Sequence, residues 1–469
     1  MQILADGALF LWPLAILMLF AALPPRSAML TALIGGWLFL PVHEFQLPLI
    51  PDYSKMTATC FGVFAATLAF DPTRFVGLRF RWIDAPVILI CIAPMLSSLT
   101  NDLGLYDGVS GVVSKVISVG MPYLLGRGYF RSVDDLSALA VAIVVGGLLY
   151  LPLCLYEMRM SPHLHVDIYG YRPGNRRNLV RFGGWRPVVF MKDGLQLSMW
   201  MVTSALTAFW LWWNQRLPQL LGLRPMFAAI GLVGVAILTR STGAVLLLLM
   251  GMTVLVLTKW MGSKIALIAL LLIPPVYIGV RLTGEYGWEP AVQAASWISE
   301  ERAGSLQFRF EMEDILAERA LERPLFGWGG WGRNRVHGEK GDDKSVTDGL
   351  WIIEFGTRGL FGLCSYFALL LLPLGLMVWK QPARVLSLPR TAPALVLATT
   401  VLLYAIDCLP NAMPNPVYFV MAGGILGTVV NKSFAHPPKT DGEPSVHFGR
   451  GNHTQSELLE RKLTPGHSK

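Results

Sequence analysis

The feature that most constrains this chain is the recurrence of long apolar stretches along nearly its whole length. A helix needs about 20 residues to cross a hydrocarbon core of about 30 Å, and most of these stretches approach that length. Hydrophobic residues make up 53% of the 469 residues and charged residues only 15%, which is too apolar for a water-soluble protein of this size. Because a spanning segment in lipid must satisfy its own backbone hydrogen bonds, the sequence predicts an all-α, polytopic transmembrane helical bundle.

The apolar pattern predicts about thirteen spans in a membrane-embedded domain that covers residues 1–430. The predicted spans are 8–23, 28–42, 57–70, 83–100, 108–125, 136–154, 188–213, 226–239, 242–258, 265–281, 350–379, 391–409 and 416–430. No basic residue precedes the first stretch and no small-residue cleavage site follows it, so we interpret it as a span rather than a removed signal peptide. Residues 431–469 are rich in Pro, Gly, Ser, His and Lys, which predicts a disordered cytoplasmic tail.

The distribution of Lys and Arg predicts how the bundle is oriented. Alternate loops, such as those with Arg26, Arg74 and Lys259, are short and basic, and short basic loops stay in the cytoplasm. We therefore expect the N-terminus outside and the C-terminus inside. The net charge of +8 follows from this topology and implies no nucleic-acid partner. The five cysteines stand singly, and their spacing predicts no metal site.

Two predicted outer loops depart from this charge rule. Six arginines fall between positions 159 and 186, in or beside the predicted loop at 155–187. The loop at 282–349 is the only long one that the pattern leaves between spans. Arginines on the side of a membrane where topology disfavours them need another reason, and long ordered loops are usually functional. These two loops are therefore where we expect the functional site.

The longer loop is predicted to contain short amphipathic helices, of which the clearest runs from 299 to 323. Its apolar face is formed by Leu306, Phe310, Ala317 and Leu321. Such a helix is expected to lie on the membrane with Arg302 and Arg309 at the depth of a lipid diphosphate. The alternative is that these arginines only pair with neighbouring acids or lipid headgroups.

Two further features near the loops could carry chemistry. The glycine-rich turn at 324–332 contains Trp328 and Trp331, and tryptophan suits a membrane interface or the face of a sugar. Its position between an arginine-bearing helix and a carboxylate also fits phosphate binding. Arg240 lies between two apolar runs with almost no loop, and a guanidinium at a membrane mouth is a functional candidate.

The order of these motifs resembles the bacterial O-antigen ligase and O-antigen polymerase-like superfamily of polytopic membrane proteins. The resemblance covers roughly residues 170–380 and rests on order and spacing rather than on one signature. The motifs that carry it are the span junction RSTGA at 240–244, Ser305 and Arg309 in the long loop, the turn RPLFGWG at 323–329, and EFGTRGLFG at 354–362.

The resemblance implies inverting, metal-independent glycosyl transfer on the periplasmic face of a bacterial inner membrane, without a cofactor. The donor would be an oligosaccharide linked to undecaprenyl diphosphate, and the acceptor a sugar hydroxyl in O-antigen or exopolysaccharide polymerisation. Arg309 matches the arginine that faces the diphosphate, Arg240 the one at the span junction, and Arg181 the one in the preceding outer loop. Arg186 and Arg302 are further candidates for the diphosphate. Membrane lipids, a flippase and a chain-length regulator are the partners to expect of a polymerase.

The general base is left open between three residues. Ligases of this superfamily usually have a histidine where this chain has Asp348, which favours a polymerase over a ligase that acts on lipid A core or protein. A carboxylate can also take the proton of an attacking hydroxyl. Asp348 is thus the preferred base, and Glu354 and His337 are the alternatives. A rival class, a transporter or flippase of lipid-linked glycan, should show repeat symmetry and helices broken at the membrane midplane.

Overall fold

The structure, a computed structural model, describes residues 2–45, 52–173, 179–283, 289–297, 300–338, 343, 345–346 and 348–431. Regular structure in these residues is almost entirely helical, as the apolar pattern predicts. The helices are α1 (Gln2–Ala22), α2 (Pro25–Phe39), α3 (Lys55–Phe70), α4 (Ala85–Thr100), α5 (Leu105–Lys115), α6 (Met121–Tyr129), α7 (Val133–Met160), α8 (Leu164–Tyr169), α9 (Gly194–Trp213), α10 (Pro225–Leu238), α11 (Thr242–Met261), α12 (Ile265–Thr283), α13 (Glu289–Ser296), α14 (Glu300–Leu321), α15 (Leu350–Lys380), α16 (Ala383–Leu386), α17 (Ala392–Asp407) and α18 (Pro416–Val430). Two short antiparallel hairpins pair β1 (Glu44–Phe45) with β2 (Tyr53–Ser54) and β3 (Val180–Arg181) with β4 (Gly184–Trp185). The tail predicted at 431–469 lies, apart from Asn431, outside the described residues.

Within the described chain, eight helical segments are long and apolar enough to cross a membrane. They are α1, α4, α5 joined to α6 through a π-helical turn, α7, α11, α12, α15 and α17. Shorter apolar helices are α3, α10 and α18. Each of the thirteen predicted stretches contains a helix, so their helical interpretation is confirmed. That all thirteen cross the membrane stays a prediction.

Some predicted boundaries are wrong by several residues, because polar caps rather than hydropathy set the helix ends. The pattern starts a span at 188, whereas α9 starts at Gly194. There the Asp193 carboxylate accepts hydrogen bonds of 2.8 and 3.0 Å from two N–H groups of the first turn, which a helix start otherwise leaves open. Helices α7 and α12 also extend into the loops predicted at 155–187 and 282–349, which are accordingly shorter.

Contacts between loops define two ends of the bundle. We call the end at which α2, α7 and α12 finish and α9 and α15 begin the long-loop end. There the Lys55 ammonium donates to the carbonyl of Phe190 at 3.1 Å, which joins two loops that are distant in sequence. At the opposite, short-loop end, the buried Asp84 carboxylate pairs with Arg127 at 3.0 Å. The predicted outer loops therefore gather at one end.

Helix α14, which the sequence predicts as an amphipathic helix, is held against the bundle by a buried carboxylate. Glu313 accepts hydrogen bonds from Tyr277 (2.8 Å) and Arg281 (3.3 Å) on α12. It also accepts one from the indole of Trp351 (3.2 Å) on α15. Burial raises the pKa of Glu313, and these donors act against that effect. The helix thus packs against protein, while Leu321, assigned by the pattern to its apolar face, is 49% exposed.

Helix α15 is interrupted at Gly359, where φ is 63° and ψ is −165°, and the glycine-rich turn supplies the hydrogen bonds that the interruption leaves open. The backbone bonds run from Leu360 to Pro324 (2.7 Å), from Phe361 to Leu325 (3.1 Å), from Trp328 to Gly356 (2.8 Å) and from Gly329 to Thr357 (3.0 Å). Unpaired backbone groups inside a membrane protein are costly. The two motifs of the resemblance are therefore partners, and the N–H groups of Trp328 and Gly329 bind α15 rather than a phosphate.

We expect Gly359→Ala to destabilise the protein. A Cβ at Gly359 would lie 2.3 Å from the carbonyl group of Leu325, and the positive φ disfavours any L side chain, at a cost of about 1–3 kcal/mol before the clash is counted. Gly375→Ala is the matched control, because a Cβ there meets only Leu271 at an ordinary 3.6 Å. The fraction of monodisperse protein left after heating in detergent measures the effect. Equal heat resistance of the two variants would contradict this account of the interruption.

Candidate functional site

Two residues that the sequence assigns to different chemical tasks are in contact at the long-loop end. Arg309 lies on α14, and Asp348 lies just before α15. Arg309 Nε is 3.4 Å from Asp348 Oδ2, with 28% and 44% of the two side chains exposed. An exposed ion pair contributes about 0–1 kcal/mol to stability. The fold does not depend on this pair, and both groups are accessible to a ligand.

A second carboxylate, which the sequence did not single out, lies close to this pair. Asp407 ends α17 and accepts a hydrogen bond from the Asn411 amide at 2.9 Å. The charges of Asp193, Arg309 and Arg186 all act on its carboxyl group. A carboxylate at the end of an apolar span is the signal that could have identified it. We call Arg186, Asp193, Arg309, Asp348 and Asp407 the charge cluster.

Arg186 reaches this cluster through the space left by a glycine. Its side chain is buried, with only 2% of the residue exposed. A Cβ on Gly194, the first residue of α9, would lie 2.5 Å from Arg186 Nε. The glycine that follows the Asp193 cap therefore leaves room for the guanidinium. Arg186, which the sequence names as a further candidate for the diphosphate, is thus held in place by the chain around it; its role at the diphosphate stays a prediction.

The structure also brings Arg240 and Arg181 together, through the backbone of the second hairpin. Arg240 Nη1 donates to the carbonyls of Arg181 (3.0 Å) and Phe182 (2.5 Å). A Cβ on Gly184 would lie 2.3 Å from the same guanidinium, so the hairpin fits closely around it. Arg240 itself has a φ of 58°, which non-glycine residues seldom adopt. Strand β4 ends directly before Arg186, which links this hairpin to the charge cluster.

An open groove of about 420 Å³ lies next to Arg240. Its walls are mostly apolar and include Phe182, Ile237, Leu238 and Val245, with Ser241 and Thr242 near the arginine. A groove of this kind can hold a hydrocarbon chain while the guanidinium faces a polar headgroup. This is the arrangement expected for a lipid that carries an anionic group.

Glu354, one of the alternative bases, lies apart from the charge cluster in a buried triad. It is 1% exposed, and its two oxygens contact Lys115 Nζ at 2.6 Å and Arg358 Nη1 at 2.5 Å. Removing one partner of a buried ion pair typically costs about 3–5 kcal/mol. To act as a base, Glu354 would have to break its contacts with both Lys115 and Arg358. The geometry gives it a role in holding α5 against α15 beside the interruption at Gly359.

The two tryptophans of the glycine-rich turn have different surroundings. Trp328 donates from its indole to the carbonyl of Arg319 at 2.7 Å. The guanidinium groups of Arg319 and Arg323 lie 3.4 and 4.3 Å from its ring centre. Trp328 therefore has a structural role within the protein, and its position needs no contact with a glycan to explain it. Trp331 is 75% exposed and lines a cavity, so it remains a candidate for contact with a sugar.

Among the described residues, His337 makes no contact with the charge cluster. His337 is exposed and forms an isolated β-bridge with Asp343. A hydrogen bond of 2.5 Å from Arg335 lowers the pKa of Asp343. Arg302 belongs to α14, and its side chain lies outside the described part of the chain. Their predicted roles stay predictions.

The side chains of the charge cluster can bind an anion and accept a proton within one site. Its arginines can donate hydrogen bonds to phosphate oxygens, and Asp348 can accept a proton from a hydroxyl. Among the residues described, no group of three or more His, Cys, Asp or Glu side chains is placed to hold a metal ion.

No protein-family model matches this sequence, and no curated protein matches it either.

Proposed function

We propose that this protein is an inverting membrane glycosyltransferase of the O-antigen polymerase and ligase-like superfamily. It transfers a glycan from undecaprenyl diphosphate to a sugar hydroxyl, in O-antigen or exopolysaccharide polymerisation. The observation that carries the proposal is the contact between Arg309 and Asp348. The sequence assigns leaving-group binding to Arg309 and proton abstraction to Asp348 on separate grounds, and the reaction needs both functions within one site, on opposite faces of the reacting sugar.

In the proposed step, the acceptor oxygen attacks the anomeric carbon of the donor sugar from the face opposite the diphosphate. A new carbon–oxygen bond forms as the bond to the phosphate oxygen breaks, and undecaprenyl diphosphate leaves with the electron pair. Asp348 receives the proton of the acceptor hydroxyl. Arg309 and Arg186 stabilise the negative charge that develops on the leaving group, which is where fixed cations accelerate a reaction most.

The ion pair between Arg309 and Asp348 fits this sequence of events. A diphosphate carries more charge than one carboxylate, and a guanidinium binds phosphate oxygens in a bidentate manner. Donor binding would therefore draw Arg309 away from Asp348. The carboxylate would then be free to accept a proton only when the donor is in place.

The groove beside Arg240 supports a lipid-linked donor rather than a soluble one. Its apolar wall offers a surface for the first isoprene units, while Arg240 and the hairpin lie at its polar edge. Arg186 follows the hairpin directly and belongs to the charge cluster. A donor whose chain lies in this groove would have its diphosphate directed towards Arg186 and Arg309.

We place the reaction on the periplasmic face of a bacterial inner membrane and favour a polymerase, with ligation to lipid A core or protein as the alternative branch. A second candidate is a transporter or flippase of lipid-linked glycan. The interruption of α15 at Gly359 and the buried Lys115–Glu354–Arg358 triad favour it, because transporters use broken helices and intramembrane charges.

Transfer by the purified protein separates these candidates. The protein is reconstituted in nanodiscs with lipid-linked repeat units as both donor and acceptor, and in parallel with lipid A core as the acceptor. A polymerase should lengthen the lipid-linked glycan and release undecaprenyl diphosphate without added metal. Ligation should occur only in the second sample. Movement of the lipid-linked glycan across a vesicle membrane without any new glycosidic bond would instead establish the transport candidate.

The proposed orientation predicts which introduced cysteines are accessible from outside the cell. Leu325 at the long-loop end is 63% exposed and Val76 at the short-loop end is 72% exposed. In a Cys364→Ser background, a membrane-impermeant thiol reagent should label Leu325→Cys in intact spheroplasts. Val76→Cys should be labelled only after permeabilisation. The opposite pattern would invert the orientation and place the charge cluster in the cytoplasm.

A further inference from the structure

A cavity of about 430 Å³ lies between α4, α5, the glycine-rich turn and α15. It is distinct from the groove beside Arg240, and none of the residues in the charge cluster lines it. Its volume falls within the range of about 300–1,000 Å³ that small-ligand sites occupy. The cavity extends from the exposed turn at Trp331 to Arg358 in the broken helix.

Hydroxyl groups dominate the helical walls of this cavity. Ser110 and Ser114 lie one turn apart on α5 and share a face with Asp107. Among the described residues, the hydroxyls of Ser110 and Ser114 have no hydrogen-bond partner. On α4, Ser97 and Ser98 donate to backbone carbonyls at 2.9 and 2.7 Å, and their oxygens can still accept a hydrogen bond.

The charges that line the cavity are mostly neutralised by partners within the protein. Arg358 pairs with Glu354 at 2.5 Å, and Asp107 pairs with Arg333 at 2.8 Å. Glu354 also pairs with Lys115, and Asp52, which lines the cavity, supplies a negative charge that balances the second cation of this triad. A phosphate would therefore gain little here, whereas a neutral ligand rich in hydroxyl groups would meet donors and acceptors that are already fixed in position.

The mouth of the cavity carries aromatic rings. Trp331 is 75% exposed and Tyr106 is 51% exposed, and both line the cavity, so we take their side as its mouth. Large exposed aromatics offer flat apolar faces with a polar edge, which suit the C–H face of a sugar ring. Serine hydroxyls and one carboxylate inside, with aromatic faces at the mouth, form a combination that recognises carbohydrate.

We propose that this cavity is a saccharide subsite, which holds sugar units of a glycan chain while the charge cluster holds the diphosphate. The assignment of that chain as the acceptor or growing polysaccharide rests on the proposed function. The subsite would let the enzyme retain its product between transfers, with Trp331 stacking on one sugar and the α5 serines binding the hydroxyls of another.

Direct binding tests the subsite without any need for catalysis. The probe is the repeat-unit oligosaccharide that mild acid releases from the lipid-linked donor, with a fluorescent label at its reducing end. Ser110→Trp fills the cavity and should weaken binding about tenfold or more, which corresponds to about 1.4 kcal/mol. Val109→Trp places the same bulk on the neighbouring exposed position of α5, where Val109 is 50% exposed, and should bind as the parent does.

The outcomes separate this proposal from the proposed function. Equal affinity of Ser110→Trp and Val109→Trp for the oligosaccharide would overturn the subsite. No binding by the parent protein would also overturn it, even if glycan transfer succeeds. Saccharide binding that Ser110→Trp abolishes, in a protein that transfers nothing, would support the subsite and reject the glycosyltransferase.

Discussion

Arg309→Ala is expected to lower the rate of glycan transfer about 100- to 1,000-fold, as the loss of one fixed donor at a developing negative charge typically does. The side chain makes an exposed ion pair with Asp348, so its removal should cost the fold little, about 1 kcal/mol at most. Arg309→Lys keeps the charge but loses the fork of donors that matches a phosphate. Its rate should fall between those of the parent and the alanine variant.

The control for this prediction is another arginine of α14. Arg319 contacts the Trp328 ring and Glu322 and takes no part in the charge cluster, so Arg319→Ala should keep most of the transfer rate. Release of undecaprenyl diphosphate by purified protein at matched amounts measures all three variants. A parent-like rate from Arg309→Ala would reduce this residue to a surface partner of Asp348 and remove the main support for the diphosphate site.

Much of the helical fold follows from the sequence, because apolar length and the absence of polar breaks decide where a membrane helix can form. Each predicted stretch contains a helix, and the predicted outer loops meet at one end. Details that depend on tertiary contacts cannot be predicted from the sequence in this way. The interruption of α15 at Gly359 forms only because the turn at 324–332 supplies its missing hydrogen bonds, and hydropathy treats the whole stretch as one continuous span.

The site shows the same division. The order of the motifs predicts functional roles for Arg309 and Asp348, whereas their contact depends on how α14 packs through Glu313. The motifs do not include Asp407, and its one sequence signal, a carboxylate at the end of an apolar run, does not say what lies beside it in the fold. The sequence does not reveal the roles of Glu354 and Trp328 either. Glu354 pairs with Lys115, and Trp328 donates a hydrogen bond to Arg319, and only the folded structure identifies these partners.

Asp348→Asn is expected to reduce transfer about 100- to 10,000-fold, the usual contribution of a general base. Asparagine keeps the shape and the hydrogen-bonding capacity of the side chain but cannot take up the proton of the acceptor hydroxyl. Because the change also releases Arg309 from its ion pair, binding of the lipid-linked donor should be retained or tightened. This combination distinguishes a base from a residue that only positions Arg309, whose loss should weaken donor binding and transfer together.

Asp343→Asn provides the matched control, since it removes an exposed carboxylate of the same loop that pairs with Arg335 instead. It should transfer at nearly the parent rate. Asp348→Glu should recover part of the activity, because it restores a proton acceptor about one methylene away. Chain growth by Asp348→Asn at the parent rate would exclude Asp348 from the proton transfer. His337 would then be the next base to test, because it is exposed at the long-loop end, whereas Glu354 is held by two cations inside the bundle.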